Sequence, residues 1–277
     1  MKTEAKLNRF DKILQLWHDG PDHPMKLRLY RNAVRRVRTN LAYTSTPYGG
    51  FIVDQDDYIG NLLLNEKVYE PATLALCERL LISGGTFFDI GANLGLYTVA
   101  MSRNPDTHVF AFEPDAFNYM ALKRNIELNE RHNVILFNMA LSSAPGLLTL
   151  DLPSTDNLGR ISVRGEFGNG SSRAIVSSST IDEVIRFTGI AHIDVLKIDV
   201  EGHELEVLRG LSFDSLAPKH IIAEYLGESN DPKRTDILDS ELYDFLRQRG
   251  YRCRTILSEP VVSGKPLPEC NAWFSLD

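Results

Sequence analysis

The sequence predicts an α/β protein: a doubly wound, seven-stranded, mostly parallel sheet preceded by a helical N-terminal extension. Three observations lead there. From residue 86 onward, short apolar runs of β type alternate with segments of helical period. The turn after the first of these runs is glycine-rich, and the second run closes on a carboxylate. Charge also divides the chain near residue 38, with ten Lys and Arg against four Asp and Glu before it, and 20 against 33 after it.

Leu7, Phe10, Leu14 and Trp17 recur at helical spacing, and after Gly20-Pro21 a second pattern runs through Met25, Tyr30, Val34 and Val37. These two helices define an extension over residues 1–60, with the main domain over 61–277. FIVDQDDYIGNLLLNEKVYEP mixes short β-like alternation with loop signals. A helix follows through Leu74, Leu76, Leu80 and Leu81 and stops at Gly84-Gly85. The regular part then reads TFFDI, a helix from Leu96 to Ser102, HVFAFE, a helix from Pro114 to Asn129, and NVILFNMAL as the third strand. IDVLKIDV precedes the helix HELEVLRGL, and HIIAEYL precedes ILDSELYDFLRQRG. YRCRTIL and NAWFSL close the sheet as an antiparallel edge. Residues 145–179 interrupt this rhythm with LLTLDL, RISVRG and RAIVS, which read as inserted β-hairpins before a helix opened by the capping box Thr180-x-x-Glu183. Phe87, Phe88, Phe110 and Phe112 are expected in the core.

With 277 residues, 43% hydrophobic and 24% charged, the composition is that of a globular enzyme and excludes disordered, fibrous and small disulfide-bonded classes. Arg79, Asp89 and Arg103 interrupt the most apolar region, leaving no run of the ~18 apolar residues that a membrane span needs. The charged N-terminus has no signal-like apolar core, so the expected location is cytoplasmic. Cys77, Cys253 and Cys270 form no CxxC pair and are expected to be reduced, and Asn169-Gly170-Ser171 is read as a loop tripeptide. The acidic body argues against nucleic acid as a partner. Lys26, Arg28, Arg31, Arg35, Arg36 and Arg38 give the extension a basic run, read as a solvated helix face or as a contact for a peripheral anionic surface.

In an open α/β sheet, ligands bind beyond the carboxyl ends of the strands. There the chain reads Asp89-Ile90-Gly91-Ala92-Asn93-Leu94-Gly95-Leu96-Tyr97-Thr98. Gly91 and Gly95 let the backbone turn tightly, and amides at the helix start offer donors to a carboxylate or phosphate. The second strand ends Phe112-Glu113-Pro114, placing a carboxylate 24 residues after Asp89, where it can accept both hydroxyls of a ribose. Asn93 stands where a dinucleotide fingerprint has its second glycine, and Asp89 would repel a pyrophosphate. A ligand with an amino acid group fits better, its ammonium on Asp89 and its carboxylate on the loop amides, which points to S-adenosylmethionine. The alternatives are an NAD-type oxidoreductase and a catalytically inactive nucleoside-binding module.

FDIGANLGLYT, AFEPD with LKRNIELN, NMALS and LKIDVEGHELEVLRG resemble the FkbM family of methyltransferases, and the likeness runs from about Glu70 to Phe274. VDQDDYI, YEP and IIAEYL also resemble it. The resemblance implies a class I, Rossmann-like methyltransferase fold, S-adenosylmethionine as cosubstrate, and O-methylation of sugars, polysaccharides or natural-product metabolites. By position it implies Asp89, Gly91, Ala92, Asn93, Gly95, Tyr97 and Thr98 at the methionine end, Glu113 with Pro114 at the ribose, and Asn138 with Ala140 on the adenine side.

Asp199-Val200-Glu201-Gly202-His203-Glu204 forms a second charged cluster, at the exit of the fourth strand. Alternation puts Lys197 and Asp199 on one face. Methyl transfer to a hydroxyl needs the oxygen aligned and its proton accepted, and Asp199, Glu201 and His203 are the candidate bases. Glu204 and Glu206 are expected on a solvated helix face. Glu224 ends the neighbouring strand, close enough to join Asp199 around a Mg²⁺ or to bind the acceptor. Two carboxylates are fewer than a dedicated Mg²⁺ site uses and Lys197 can neutralise Asp199, so the site is expected to be metal-free.

Overall fold

The structure, a computed structural model, describes residues 40–151, 162–163, 173–225 and 236–276. Leu41–Asp277 forms one compact unit. It opens with an antiparallel hairpin of β1 (Leu41–Thr46) and β2 (Gly49–Asp54). Thr46 closes the turn, its hydroxyl oxygen accepting from the Tyr48 and Gly49 amides, and alternation sinks Phe51 and Val53 into the core. Helix α1 (Tyr58–Asn65) starts at Asp57, whose carboxylate accepts from Gly60 N at 2.9 Å. The helical extension expected over residues 1–60 therefore fails over 41–54, where period-2 burial favours strands. The two N-terminal helices and the basic run lie outside the described residues.

Helix α2 (Pro71–Leu80) takes the place of the expected 74–81 helix. β3 (Gly85–Ile90), α3 (Leu96–Met101), β4 (Thr107–Phe112), α4 (Ala116–Leu128) and β5 (Val134–Phe137) follow in the anticipated alternation. Asp115 caps α4 by accepting from Phe117 N and Asn118 N. The third strand is shorter than NVILFNMAL predicts. Its chain leaves the main sheet at Asn138-Met139, and β6 (Ala140–Leu141) pairs instead with the insertion. There β7 (Gly146–Asp151), β8 (Ser162–Val163) and β9 (Arg173–Ser179) complete a four-stranded sheet of order β6-β9-β7-β8.

Helix α5 (Ile181–Thr188) is capped by Thr180, whose hydroxyl accepts from Glu183 N, while the Glu183 carboxylate takes the Ser179 hydroxyl at 2.7 Å rather than completing the capping box. β10 (Val195–Ile198), α6 (Glu204–Arg209), β11 (His220–Glu224), α7 (Glu241–Arg247), β12 (Arg252–Thr255) and β13 (Asn271–Ser275) finish the unit. The main sheet runs β12-β13-β11-β10-β3-β4-β5. β13 is antiparallel to both neighbours, so it alone reverses direction and β12 runs with the rest.

Successive residues of a strand point to opposite faces, and both faces of this sheet are covered. Phe87 joins Phe51, Leu74, Val99 and Leu122 in one apolar layer, while Phe88 joins Phe110, Leu208, Leu246 and Phe274 in the other. The carboxyl ends of β3, β4, β10 and β11 then converge on one edge.

At that edge β3 and β10 leave the sheet almost in contact. Asp199 N donates to Ile90 O at 2.9 Å, and Gly91 sits in the left-handed region with φ 84°. A Cβ there would lie 1.8 Å from the Asp199 carbonyl oxygen. Strain and overpacking reinforce each other, so Gly91→Ala should lower stability by at least ~2 kcal/mol, read as the shift in a urea unfolding midpoint.

Candidate active site

After Gly91 the chain turns back beneath β4, with Gly91 N and Ala92 N both donating to Phe112 O at 3.0 Å. Asn93 also adopts positive φ, 50°, which aims its amide at Glu113 Oε2, 2.8 Å away. Glu113 Oε1 accepts from Asp115 N at 2.8 Å, so the turn after β3 and the turn after β4 share one carboxylate. Gly95 has φ 93°, and a Cβ there would lie 2.6 Å from Leu122 Cδ1, which ties this glycine to the packing of α3 against α4. Asp89 is buried at 1% exposure, with Oδ2 accepting from the Thr98 hydroxyl at 2.6 Å and Oδ1 without a partner among the described residues.

A cleft with about 1050 Å³ of empty space, its open mouth included, lies over these turns. Gly91, Ala92, Asn93, Tyr97, Glu113, Pro114 and Ala140 line it, as do Lys197, Asp199, Glu201, His203 and Glu224. Twelve of the sixteen residues singled out from sequence thus face one cleft. Asp89, Gly95 and Thr98 stand behind its wall. Asn138 does not line the cleft, its amide donating to the Glu113 and Pro114 carbonyls at 2.9 and 3.2 Å, so it serves the backbone of the turn after β4.

The floor is built by β10 and β11. Lys197 lies in register with Asp89 of β3 and is 1% exposed. Its ammonium donates to Asp199 Oδ2 at 2.9 Å and rests 4.3 Å from the centroid of the Tyr97 ring. Asp199 keeps 23% of its side chain exposed, so the pair offers a carboxylate to the cleft and hides the cation beneath it. Glu224 lies close enough to Asp199 for the two carboxyls to act on each other, and its Oε2 is buried with no partner among the described residues.

The Methyltransferase FkbM domain family matches residues 89–253, from the Asp89 wall through the acidic floor to β12. The chain belongs to the FkbM methyltransferase family. Methyltransferase sdnD of Sordaria araneosa is 30% identical over 193 residues, covering 58% of this chain and 74% of that protein. Hexuronic acid methyltransferase AglP of Haloferax volcanii is 29% identical over 157 residues, 56% of this chain and 61% of its own length. The AMB antimetabolite synthetase AmbE of Pseudomonas aeruginosa matches at 24% identity over 80% of this chain, which spans 12% of that protein. The order of the main sheet and its single reversed strand are the class I methyltransferase arrangement expected for the FkbM family.

Electrostatics sorts the acids of this FkbM site. Burial raises the Glu113 pKa to about 8, against the two backbone N–H donors that favour its charged form. Burial, then the charge of Asp199, raises Glu224 to about 9, so at neutral pH it carries a proton. Burial alone would discharge Lys197, but Asp199, Glu70 and Asp89 hold its pKa above the ordinary lysine value. Burial lowers His203, leaving a neutral ring whose Nε2 lies 2.9 Å from the Ser142 hydroxyl. Glu204 is buried rather than solvated as expected, because its Oε1 accepts from Val200 N and Gly202 N and locks the loop that carries Glu201. Glu206 is on the surface, bonded to Ser143 and Arg209. Among the described residues no group of three or more His, Cys, Asp or Glu is arranged to hold a metal, and the Lys197 ammonium supplies positive charge beside Asp199. No helix of the described residues is long and apolar enough to cross a membrane.

Sequence reasoning assigned no role to Tyr69, Asn118 or Met139, which also line the cleft. The YEP segment that carries Tyr69 resembles the family, but only the fold brings residue 69 to the floor. Because Glu224 is neutral when folded and ionised when unfolded, its contribution to stability is complete below about pH 4.5 and lost as pH rises through about 9. Glu224→Gln, neutral in both states, should therefore gain on the wild type between pH 6 and 9 in paired urea titrations.

Proposed function

We propose that this methyltransferase moves a methyl group from S-adenosylmethionine to a hydroxyl oxygen of a sugar, polysaccharide or natural-product metabolite. The observation that carries the reading is the Lys197–Asp199–Glu224 floor in the same cleft as Glu113: a partly exposed carboxylate sharing a cavity with a carboxylate placed to suit a nucleoside. The chain's own residues suit the donor. Gly91–Asn93 line the cleft at a tight turn, although their amides, expected from sequence to take a carboxylate, are spent on Phe112 O and Glu113; Asp89 Oδ1 is a buried acceptor with no partner among the described residues, and Glu113 is already oriented by Asn93 and Asp115. When bound, S-adenosylmethionine supplies an electrophilic methyl on a sulfonium.

Asp199 would take the acceptor's proton, with Lys197 stabilising the carboxylate and the protonated Glu224 orienting it or the hydroxyl next to it. Positioning can lower such a barrier by ~7 to 11 kcal/mol, and a base adds ~10²- to 10⁴-fold. Glu201, at φ 54°, and His203 flank the same floor as acceptor-contacting groups. Leu150 of β7 lines the cleft, which supports a role for the insertion in holding the acceptor. A relative named for hexuronic acid supports a sugar acceptor. Family membership and Asn93 in place of a central glycine disfavour the oxidoreductase alternative.

Two variants separate donor binding from chemistry. Glu113→Ala should weaken S-adenosylmethionine binding at least tenfold in calorimetry run above about pH 8, where Glu113 is ionised, since hydrogen bonds to a charged group contribute ~1.5 to 3 kcal/mol each. Asp199→Asn should bind the donor normally yet lose at least ~10²-fold in methyl transfer, scored by mass spectrometry with methyl-labelled donor and a panel of neutral sugars, uronates and hydroxylated metabolites. Donor binding without transfer to any acceptor would favour an inactive nucleoside-binding module.

A further inference from the structure

Glu70 occupies the N-cap position of α2 but does not cap it. Its backbone is left-handed, φ 47° and ψ 55°, an unusual state for a residue with a side chain, and its carboxylate turns inward to 8% exposure. The cap comes from Glu269 instead, whose carboxylate accepts from Ala72 N, Thr73 N and the Thr73 hydroxyl at 2.8 to 2.9 Å. Glu269 is itself left-handed at φ 52°. Two strained acidic residues have thus divided the work, and the one that could have capped locally is released toward the interior.

Both oxygens of Glu70 are engaged there. Oε2 accepts from the Tyr97 hydroxyl and Oε1 from Asn271 Nδ2 at 3.1 Å. Asn271 is fully buried and also donates to Glu269 O at 2.8 Å, which joins the two exchanged residues. Glu70 does not line the cleft; Tyr97 does, with its ring against the ammonium that holds Asp199. We propose that Glu70 is a positioning residue which, through the Tyr97 hydroxyl, fixes the Lys197 ammonium against Asp199 and so sets the cleft's exposed carboxylate.

The surroundings of the pair define what else acts on it. Lys197 is faced by Asp89 of β3, Glu70, Cys77 of α2, Tyr97 of α3 and Asp199. Asp199 is faced by Lys197, by Asp89 of β3, by Tyr97 of α3, by Glu204 beyond its own strand, by Glu224 of β11, and by Tyr69 and Glu70 before α2. Removing a charge from this set would shift Asp199 directly and mask any effect of position. Variants that keep every charge avoid that: Tyr97→Phe deletes only the linking hydroxyl, and Glu70→Asp withdraws the carboxylate by one methylene.

The inference rests on reading Asp199 as the acceptor-facing carboxylate, and its test uses the full chain without donor or acceptor, so it stands or falls separately from the methyl-transfer reading. Protein carrying ¹³Cγ-labelled aspartate, with the Asp199 signal assigned by Asp199→Asn, is titrated by NMR alongside thermal unfolding. If Glu70 positions through Tyr97, both variants loosen the ammonium, and the Asp199 ionisation equilibrium moves toward the protonated form by at least about threefold. The double variant should move it no further than the larger single change, because the two residues lie on one path. A merely structural role would lower the melting temperature and leave the Asp199 titration in place, which overturns the proposal. So would a shift confined to Glu70→Asp, which would mean direct action without Tyr97, and so would failure of both variants to fold.

Discussion

One ammonium organises the site. Lys197 is buried to 1% exposure on a central strand, with Asp89, Asp199 and Glu70 all acting on it. An isolated charge at that depth would be too costly to keep, and so would the carboxylates if the lysine were absent. Each therefore makes the others tolerable. Breaking such a buried set by removing one partner typically costs ~3 to 5 kcal/mol. The cluster is a constraint on which residues the sheet can carry at its centre, and it delivers to the cleft a single exposed carboxylate of fixed direction.

That arrangement explains why the two carboxylates on the floor behave differently although they lie close together. Asp199 has a cation 2.9 Å away, while Glu224 has burial and two negative neighbours, Asp199 and Glu201. Burial and the two acidic neighbours favour a proton on Glu224, the member without the lysine.

The fold was largely legible because a parallel sheet buried on both faces writes itself as short apolar runs, and the glycine turn after β3 and the acid after β4 mark where such a sheet binds ligands. What stayed hidden has local causes. β1, β2 and α1 are short, and their burial depends on α4, as where Asn125 and Asn129 accept from Ile52 N and Gly50 N. The end of β5 was overrun because Met139, Ala140 and Leu141 are apolar wherever they pair, and only the insertion decides that they leave the sheet. Glu204 looked like any acid on a helix, and its burial follows from the two loop amides it receives. Tyr69 and Glu70 gave no periodic signal at all, since their importance lies in contacts with residues far along the chain.

Those distant contacts have a temporal side. Glu70 and Asn271 are 201 positions apart, and the amide of Ala72 waits 197 positions for the carboxylate of Glu269. β13 enters the sheet between β11 and β12 rather than at its edge, so the last strand of this sheet in chain order is an interior one. Closing so long a loop carries an entropic cost that only the completed packing repays, and non-local pairings of this kind form late and slowly. During synthesis the turns around Gly91 and Glu113 can assemble from the first half of the domain, but the contacts of Glu70 and Ala72 with Asn271 and Glu269 wait until β13 has been made. A chain truncated before β13 would hold the glycine turn without the link that ties Glu70 in place.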